Sequence, residues 1–111
     1  MKISIDMSDL KKAISKLEPI MKSANMKRHS IANIILLAEN EQIRLFATEL
    51  ELCAFYTIPG AIEGNGRFYV DYNDLLMLKK LSGNAVLEVS GNVCTVHTNH
   101  TYSFKIKHVN A

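Results

Sequence analysis

No run in this sequence approaches the roughly 20 consecutive apolar residues that a membrane-spanning helix needs, so a membrane is not an expected partner. A secretory leader is not expected either. Met1–Asp6 carries charge at its second residue and is too short for an apolar segment. Cysteine is scarce: Cys53 and Cys94 are the two present. Two cysteines do not make a disulfide framework, and both lie in strand-like stretches. A reducing, cytoplasmic setting with two buried thiols is therefore expected. Charge of one sign is also in short supply, since 13 Lys and Arg oppose 11 Asp and Glu and leave a formal net charge of +2. That balance permits nucleic-acid binding only through a local patch.

Catalytic signatures are missing as well. There is no Gly-rich phosphate loop leading into a helix, no nucleophile elbow and no paired His and carboxylate motif. The glycines of Gly60–Gly66 precede a strand, and Asp71 and Asp74 read as helix-start residues. No enzyme, catalytic residue or cofactor is expected. Cys94-x-x-His97-x-x-His100 has the look of a metal motif. On a strand, however, positions 94 and 97 point to opposite faces, and no carboxylates cluster with them, so no metal site is expected. His29 and His108 lie in or beside loops.

What is present is an ordinary globular composition: 111 residues, 48% apolar and 22% charged, read as one domain spanning 1–111. Lys2–Asp6 alternates and reads as a strand. Ser8 can cap the helix that follows, with Leu10, Ala13, Ile14, Leu17 and Met21 as its buried stripe and Pro19 as its end or a kink. Ser23–Ser30 is a polar loop with a basic cluster at Lys27-Arg28-His29. Ile34–Ala38, Ile43–Thr48 and Leu50–Ile58 form a three-strand meander turning at Glu39-Asn40-Glu41. Pro59–Gly66 is a turn-rich connection. Arg67–Val70 is a strand. A second helix starts at Asp71 or Asn73, buries Leu75 and Leu78 with Leu81, and stops at Gly83. Strands over 85–89, Val93–Thr98 and Thr101–Lys107 complete the chain, with Asn99-His100 as a two-residue hairpin turn.

The order strand-helix-three strands thus occurs twice, in halves 1–58 and 66–107. The predicted fold is α+β. Two such units pair about a pseudo-two-fold axis, with both helices on one face and antiparallel sheet on the other. Open sheet edges are places where another chain or domain can add.

The residues carry a family likeness. Met1-Lys2-Ile3-Ser4-Ile5, the first-helix positions Leu10, Lys12 and Leu17, the strand Asn33-Ile34-Ile35-Leu36, Ala47-Thr48-Glu49-Leu50-Glu51 and Phe104-Lys105-Ile106 run collinearly with one pattern. In these stretches the chain resembles the amino-terminal domain of the bacterial DNA polymerase III beta subunit, the sliding clamp. The likeness covers nearly all 111 residues. It implies a non-catalytic domain that contributes to polymerase processivity through sequence-independent contacts with double-stranded DNA. It also implies joining to other clamp-type domains or copies through sheet edges, with a DNA polymerase as a further partner.

Under that resemblance the DNA-facing residues are Lys11, Lys12, Lys16, Lys22, Lys27, Arg28, Lys79 and Lys80. The assembly edge is Tyr102, Ser103, Phe104, Lys105 and Ile106. Three departures are visible. The chain stops where the family's second domain would begin. The family's loop after the first helix is replaced by Met26-Lys27-Arg28-His29-Ser30-Ile31. Basic residues early in its second helix become Asn73 and Asp74. The alternative expectation is a stand-alone interaction module of the same fold that pairs through its edges and does not bind DNA. The lysines then form only a solvated helix face, and Lys105 and Lys107 blunt an edge.

Overall fold

In the first strand, β1 (Lys2–Asp6), Ile3 and Ile5 are buried while Lys2, Ser4 and Asp6 face solvent, the period-two pattern of a strand covered on one side. The computed structural model describes residues 1–26, 33–49 and 52–109. β1 runs straight into α1 (Met7–Met26), where Leu10, Ala13, Ile14, Leu17 and Met21 are buried at helical spacing. The first half continues through β2 (Asn33–Glu39), β3 (Gln42–Glu49), β4 (Leu52–Ile58) and β5 (Gly60–Glu63). The second half repeats the order as β6 (Gly66–Tyr69), α2 (Tyr72–Leu78), β7 (Asn84–Ser90), β8 (Val93–His97), β9 (Thr101–Lys105) and β10 (Lys107–His108).

The strands form two five-stranded antiparallel sheets, ordered β5-β1-β7-β8-β9 and β10-β6-β2-β3-β4. Each half lends its first strand to the other half's meander. Ile3 of β1 pairs opposite Leu87 of β7, and Phe68 of β6 opposite Leu36 of β2. The inner faces of both sheets and the stripes of both helices fill one core, with Phe68, Leu45, Leu75 and Leu87 almost inaccessible to water. The helices lie side by side. Glu18 of α1 holds Lys79, just past α2, with Nζ 2.5 Å from Oε1. The α+β reading, with paired units and both helices on one face, holds.

Several local expectations are corrected. Asp6, not Ser8, caps α1: its Oδ1 accepts the Ser8 N–H at 2.9 Å, and that bond holds the Asp6 carboxyl below its usual range. Pro19 does not end α1, because the buried stripe continues past it to Met21 and the helix runs to Met26. Asp71 does cap α2, accepting the Asn73 N–H at 2.8 Å, but the helix ends at Leu78 with Lys79 as C-cap. Gly83 lies further on, at φ +84°, where its carbonyl accepts the Met7 N–H. The β8–β9 connection has three residues, 98–100, closed by the Thr98 N–H donating to the His100 carbonyl. Leu50 lies outside the described residues. Cys53 is exposed on β4, whereas Cys94 is buried.

Two short strands, β5 and β10, replace expected turn and tail. Each has too few residues to show alternation, and each exists because a neighbouring strand offers it an edge. Gly60 makes the first possible. A Cβ there would run into the Ser4 carbonyl oxygen and lie 2.8 Å from Ile43 Cδ1 and 2.9 Å from Ile5 Cγ2. The β2–β3 turn is built differently. Asn40 and Glu41 adopt φ of 52° and 63°, the left-handed pair of a two-residue hairpin, where the second position favours glycine.

Opposite responses to glycine exchange are expected. Gly60→Ala overpacks the β1–β5 contact and costs about 1–3 kcal/mol. Glu41→Gly relieves left-handed strain of about 1–2 kcal/mol against a backbone-entropy cost of about 0.5–1, a net gain near ~0.5–1 kcal/mol. Urea unfolding of the two variants checks the signs.

The thiols separate too. Burial pushes Cys94 up to about 12 from 9.0, so folding favours its neutral form. The associated stability is complete below the unfolded value of 9.0 and is lost as pH rises toward 12. At pH 8 a thiol-titrating disulfide reagent is expected to modify Cys53 in the native protein and Cys94 only after denaturation.

Candidate nucleic-acid interface

Of the cations that the sequence singled out, the structure describes the surroundings of Lys11, Lys12, Lys16, Lys79 and Lys80. Along α1, Lys12 and Lys16 are exposed one turn apart, and Lys11 is half-buried beside them. Their positions follow from the stripe: burying Leu10, Ala13, Ile14 and Leu17 turns positions 12 and 16 to water. Lys80 is exposed in the turn after α2. Lys27 and Arg28 lie outside the described residues, as does the side chain of Lys22. The structure therefore brings together Lys11, Lys12 and Lys16 on one helix, with Lys79 and Lys80 at the end of the other.

Anions thin this field. Lys79 is bound by the Glu18 carboxylate, and the pair is largely shielded, at 31% and 18% side-chain exposure. Lys12 acts on the Asp6 carboxylate at the start of its own helix. Within its own span α2 has no cation, and it exposes Leu76 and Met77. Asp74 of α2 accepts the Tyr102 hydroxyl of β9 at 2.9 Å. Burial, and then that bond to Asp74, push the Tyr102 phenol up from its ordinary value. Glu18 and Asp74 were not singled out as interface residues. Glu18 and Lys79 are 61 residues apart in sequence, and no local pattern announces their contact.

The second predicted feature is an assembly edge over Tyr102–Ile106; in the structure β9 ends its sheet and has β8 on one side only. The side chains divide unevenly. Ser103 and Lys105 are exposed and Tyr102 is half-buried, while Phe104 and Ile106 are 6% and 7% exposed and belong to the core. Ile106 donates to the Asn92 carbonyl, so the 92/106 pair is hydrogen-bonded. Alternation along the β8–β9 register makes Cys94/Phe104 hydrogen-bonded too, and Thr95/Ser103 not. The backbone of Thr101, Ser103 and Lys105 consequently faces the open edge. Three further strands, β4, β5 and β10, end their sheets in the same way.

Cys94 and His97 point to opposite sides of β8, buried and exposed respectively. Among the described residues no three His, Cys, Asp or Glu side chains converge. Among those residues, no helix is long and apolar enough to cross a membrane.

Variants separate core from edge. Phe104→Asp places a carboxylate in the core and is expected to cost at least ~3 kcal/mol or prevent folding. Ser103→Pro removes an outward N–H, leaves the β8–β9 ladder in place and is expected to cost no more than about 1 kcal/mol. Chemical denaturation followed by circular dichroism distinguishes the two.

No protein-family model matches this chain, and no curated protein does. Solved structures do. A protein described as a DNA polymerase III beta subunit from Eubacterium rectale superposes with a TM-score of 0.80 at 21% identity, over 96% of this chain and 30% of that one. The Caulobacter crescentus pol III beta matches at 0.77 and 22% identity, over 97% and 31%. The Thermotoga maritima beta subunit matches at 0.75 and 21%, over 98% and 30%. The chain spans about a third of the length of the structures that it matches. Its fold is that of a single clamp domain, like those of bacterial DNA polymerase III beta subunits.

Proposed function

We propose that this chain is a non-catalytic clamp-type domain, acting in the cytoplasm, that supports polymerase processivity by sequence-independent tethering to double-stranded DNA. It does so when joined to further domains or copies, since a single domain of 35 × 30 × 23 Å cannot surround a duplex. The observation that carries this reading is the match of nearly the whole chain to about one third of several sliding clamps. Lys11, Lys12, Lys16 and Lys80 are the phosphate-contacting residues of the reading, and the sequence adds Lys22, Lys27 and Arg28 as further candidates. Contacts of this kind are point charges on a helix surface that read no bases. The modest net charge suits a tether that must slide, because few neutralised phosphates mean weak binding. The exposed β9 edge, through the backbone of Ser103 and Lys105, is the surface that continues into a neighbouring domain or copy.

The test joins mass to DNA retention. Light scattering across a concentration series is expected to reveal a discrete assembly that Ser103→Pro disrupts. The assembled protein is expected to remain on circular duplex and run off linear duplex. Lys12→Glu with Lys16→Glu is expected to weaken duplex association at least tenfold at low salt and to flatten the log–log salt dependence by about 2. A monomer at every concentration rules out encirclement by copies of this chain. Unchanged DNA association in the double variant removes the helical face from the mechanism and favours an edge-pairing protein module.

A further inference from the structure

The two sheets turn different chemistries away from the core. On the sheet β5-β1-β7-β8-β9 an outward row reads Glu63, Lys2, Glu88, Thr95 and Ser103, as expected of a solvated face. The sister sheet has the same pleat and the same five strands above its core, yet its outward row reads Tyr69, Ile35, Phe46 and Phe55. The adjoining row brings Leu37 beside Arg44 and Arg67. Phe55 is 52% exposed and packs on Phe46 with ring centroids 5.2 Å apart. Aromatic side chains and arginine on a surface otherwise rich in Ser, Thr, Glu and Lys are the composition of an interface core.

The two arginines differ. Arg67 is satisfied by Glu39, with Nε 2.9 Å and a terminal nitrogen 2.8 Å from Oε1. Arg44 lies with its guanidinium carbon 4.9 Å from the Phe55 ring centroid, and its Nε is shut from water with no acceptor among the described residues. A shielded donor without an acceptor is unfavourable, and a carboxylate pairing with the terminal nitrogens of this guanidinium would add a charge-assisted bond against that cost.

Size and charge choose the occupant. Four strands at ~4.8 Å spacing make a band about 15 Å across, and two rows give an area on the order of 200–300 Å², well under the ~800 Å² per partner of a stable protein pair. A second copy laid face to face would also set Arg44 and Arg67 against themselves. A single helix about 10–12 Å wide, or one extended segment, fits the band.

We propose that the outward face of the sheet β10-β6-β2-β3-β4 is a docking site for a short acidic and apolar segment of a partner protein. The segment's apolar side chains cover Phe46 and Phe55, and its carboxylate pairs with the guanidinium of Arg44. The proposal does not depend on DNA tethering, because the helical face takes no part in it.

The test is selection of a random 12-residue peptide library on the full chain, followed by titration of the enriched peptides. They are expected to carry Asp or Glu within four residues of Phe, Trp or Leu. Arg44→Glu and Phe55→Ser are each expected to weaken binding at least tenfold, while Thr95→Glu on the sister sheet leaves it unchanged. Exchanging the peptide's acidic residue for Lys is expected to restore binding to Arg44→Glu. Should that variant fail to fold by circular dichroism, Arg44→Gln, which removes the charge alone, carries the same comparison. No enriched peptide, basic peptides, or binding indifferent to both face variants overturns the proposal. Self-association abolished by Phe55→Ser reassigns the face to a second copy. Salt-dependent binding of a 12-nucleotide oligothymidylate lost in the same variants reassigns it to single-stranded nucleic acid.

Discussion

The exchange of first strands between the halves is the constraint on which the rest of this structure depends. β1 is an interior strand in a sheet whose meander belongs to the second half, and β6 occupies the matching place in the other sheet. Neither half completes a five-stranded sheet from its own strands. The exchange also sets where the helices go. Each helix bridges from its half's lent strand to its own meander, and α1 accordingly packs across β3 and β4 while its first turn follows β1. Both amphipathic stripes then face one shared core, and both polar helix faces emerge on the same side.

Two polar links tie that arrangement together over long sequence separations. Glu18 with Lys79 joins the middle of α1 to the C-terminal end of α2, and Asp74 with Tyr102 joins α2 to the edge strand β9. The helical surface and the β9 edge are thus connected through α2. The Glu18–Lys79 pair neutralises part of the positive charge on the helical face. A surface with few uncompensated cations binds phosphates weakly, which is what the proposed tether requires.

The outward sheet faces show how burial alone leaves half of every strand undetermined. The inward residues of β3, Ile43, Leu45 and Ala47, must be apolar, whereas Arg44, Phe46 and Thr48 are under no such demand from the core. A phenylalanine and an arginine at those positions are not required by the core, although both make cross-strand contacts with Phe55. Strand alternation in 43–48 already placed Phe46 on the far side. Only the registers with β2, β4 and β6 showed that Tyr69, Ile35 and Phe55 stand in line with it.

By itself the sequence determined the alternating strands, the stripe of α1, the doubled element order and hence the α+β class, because burial imposes periods of two and of three to four residues that are readable locally. It also marked Thr101–Lys107 as one strand with Lys105 and Lys107 on its polar side, which the structure divides at Ile106 into β9 and β10 because Lys107 and His108 pair with β6 instead. Tertiary structure alone decided the rest. β5 and β10 became strands because β1 and β6 presented unpaired backbone to them, and Gly60 allowed the approach. Phe104 and Ile106 went into the core instead of onto the edge, Cys53 came to the surface, and Lys79 was claimed by Glu18. Each of these outcomes depends on which segments meet across tens of residues, and no local period in the chain carries that information.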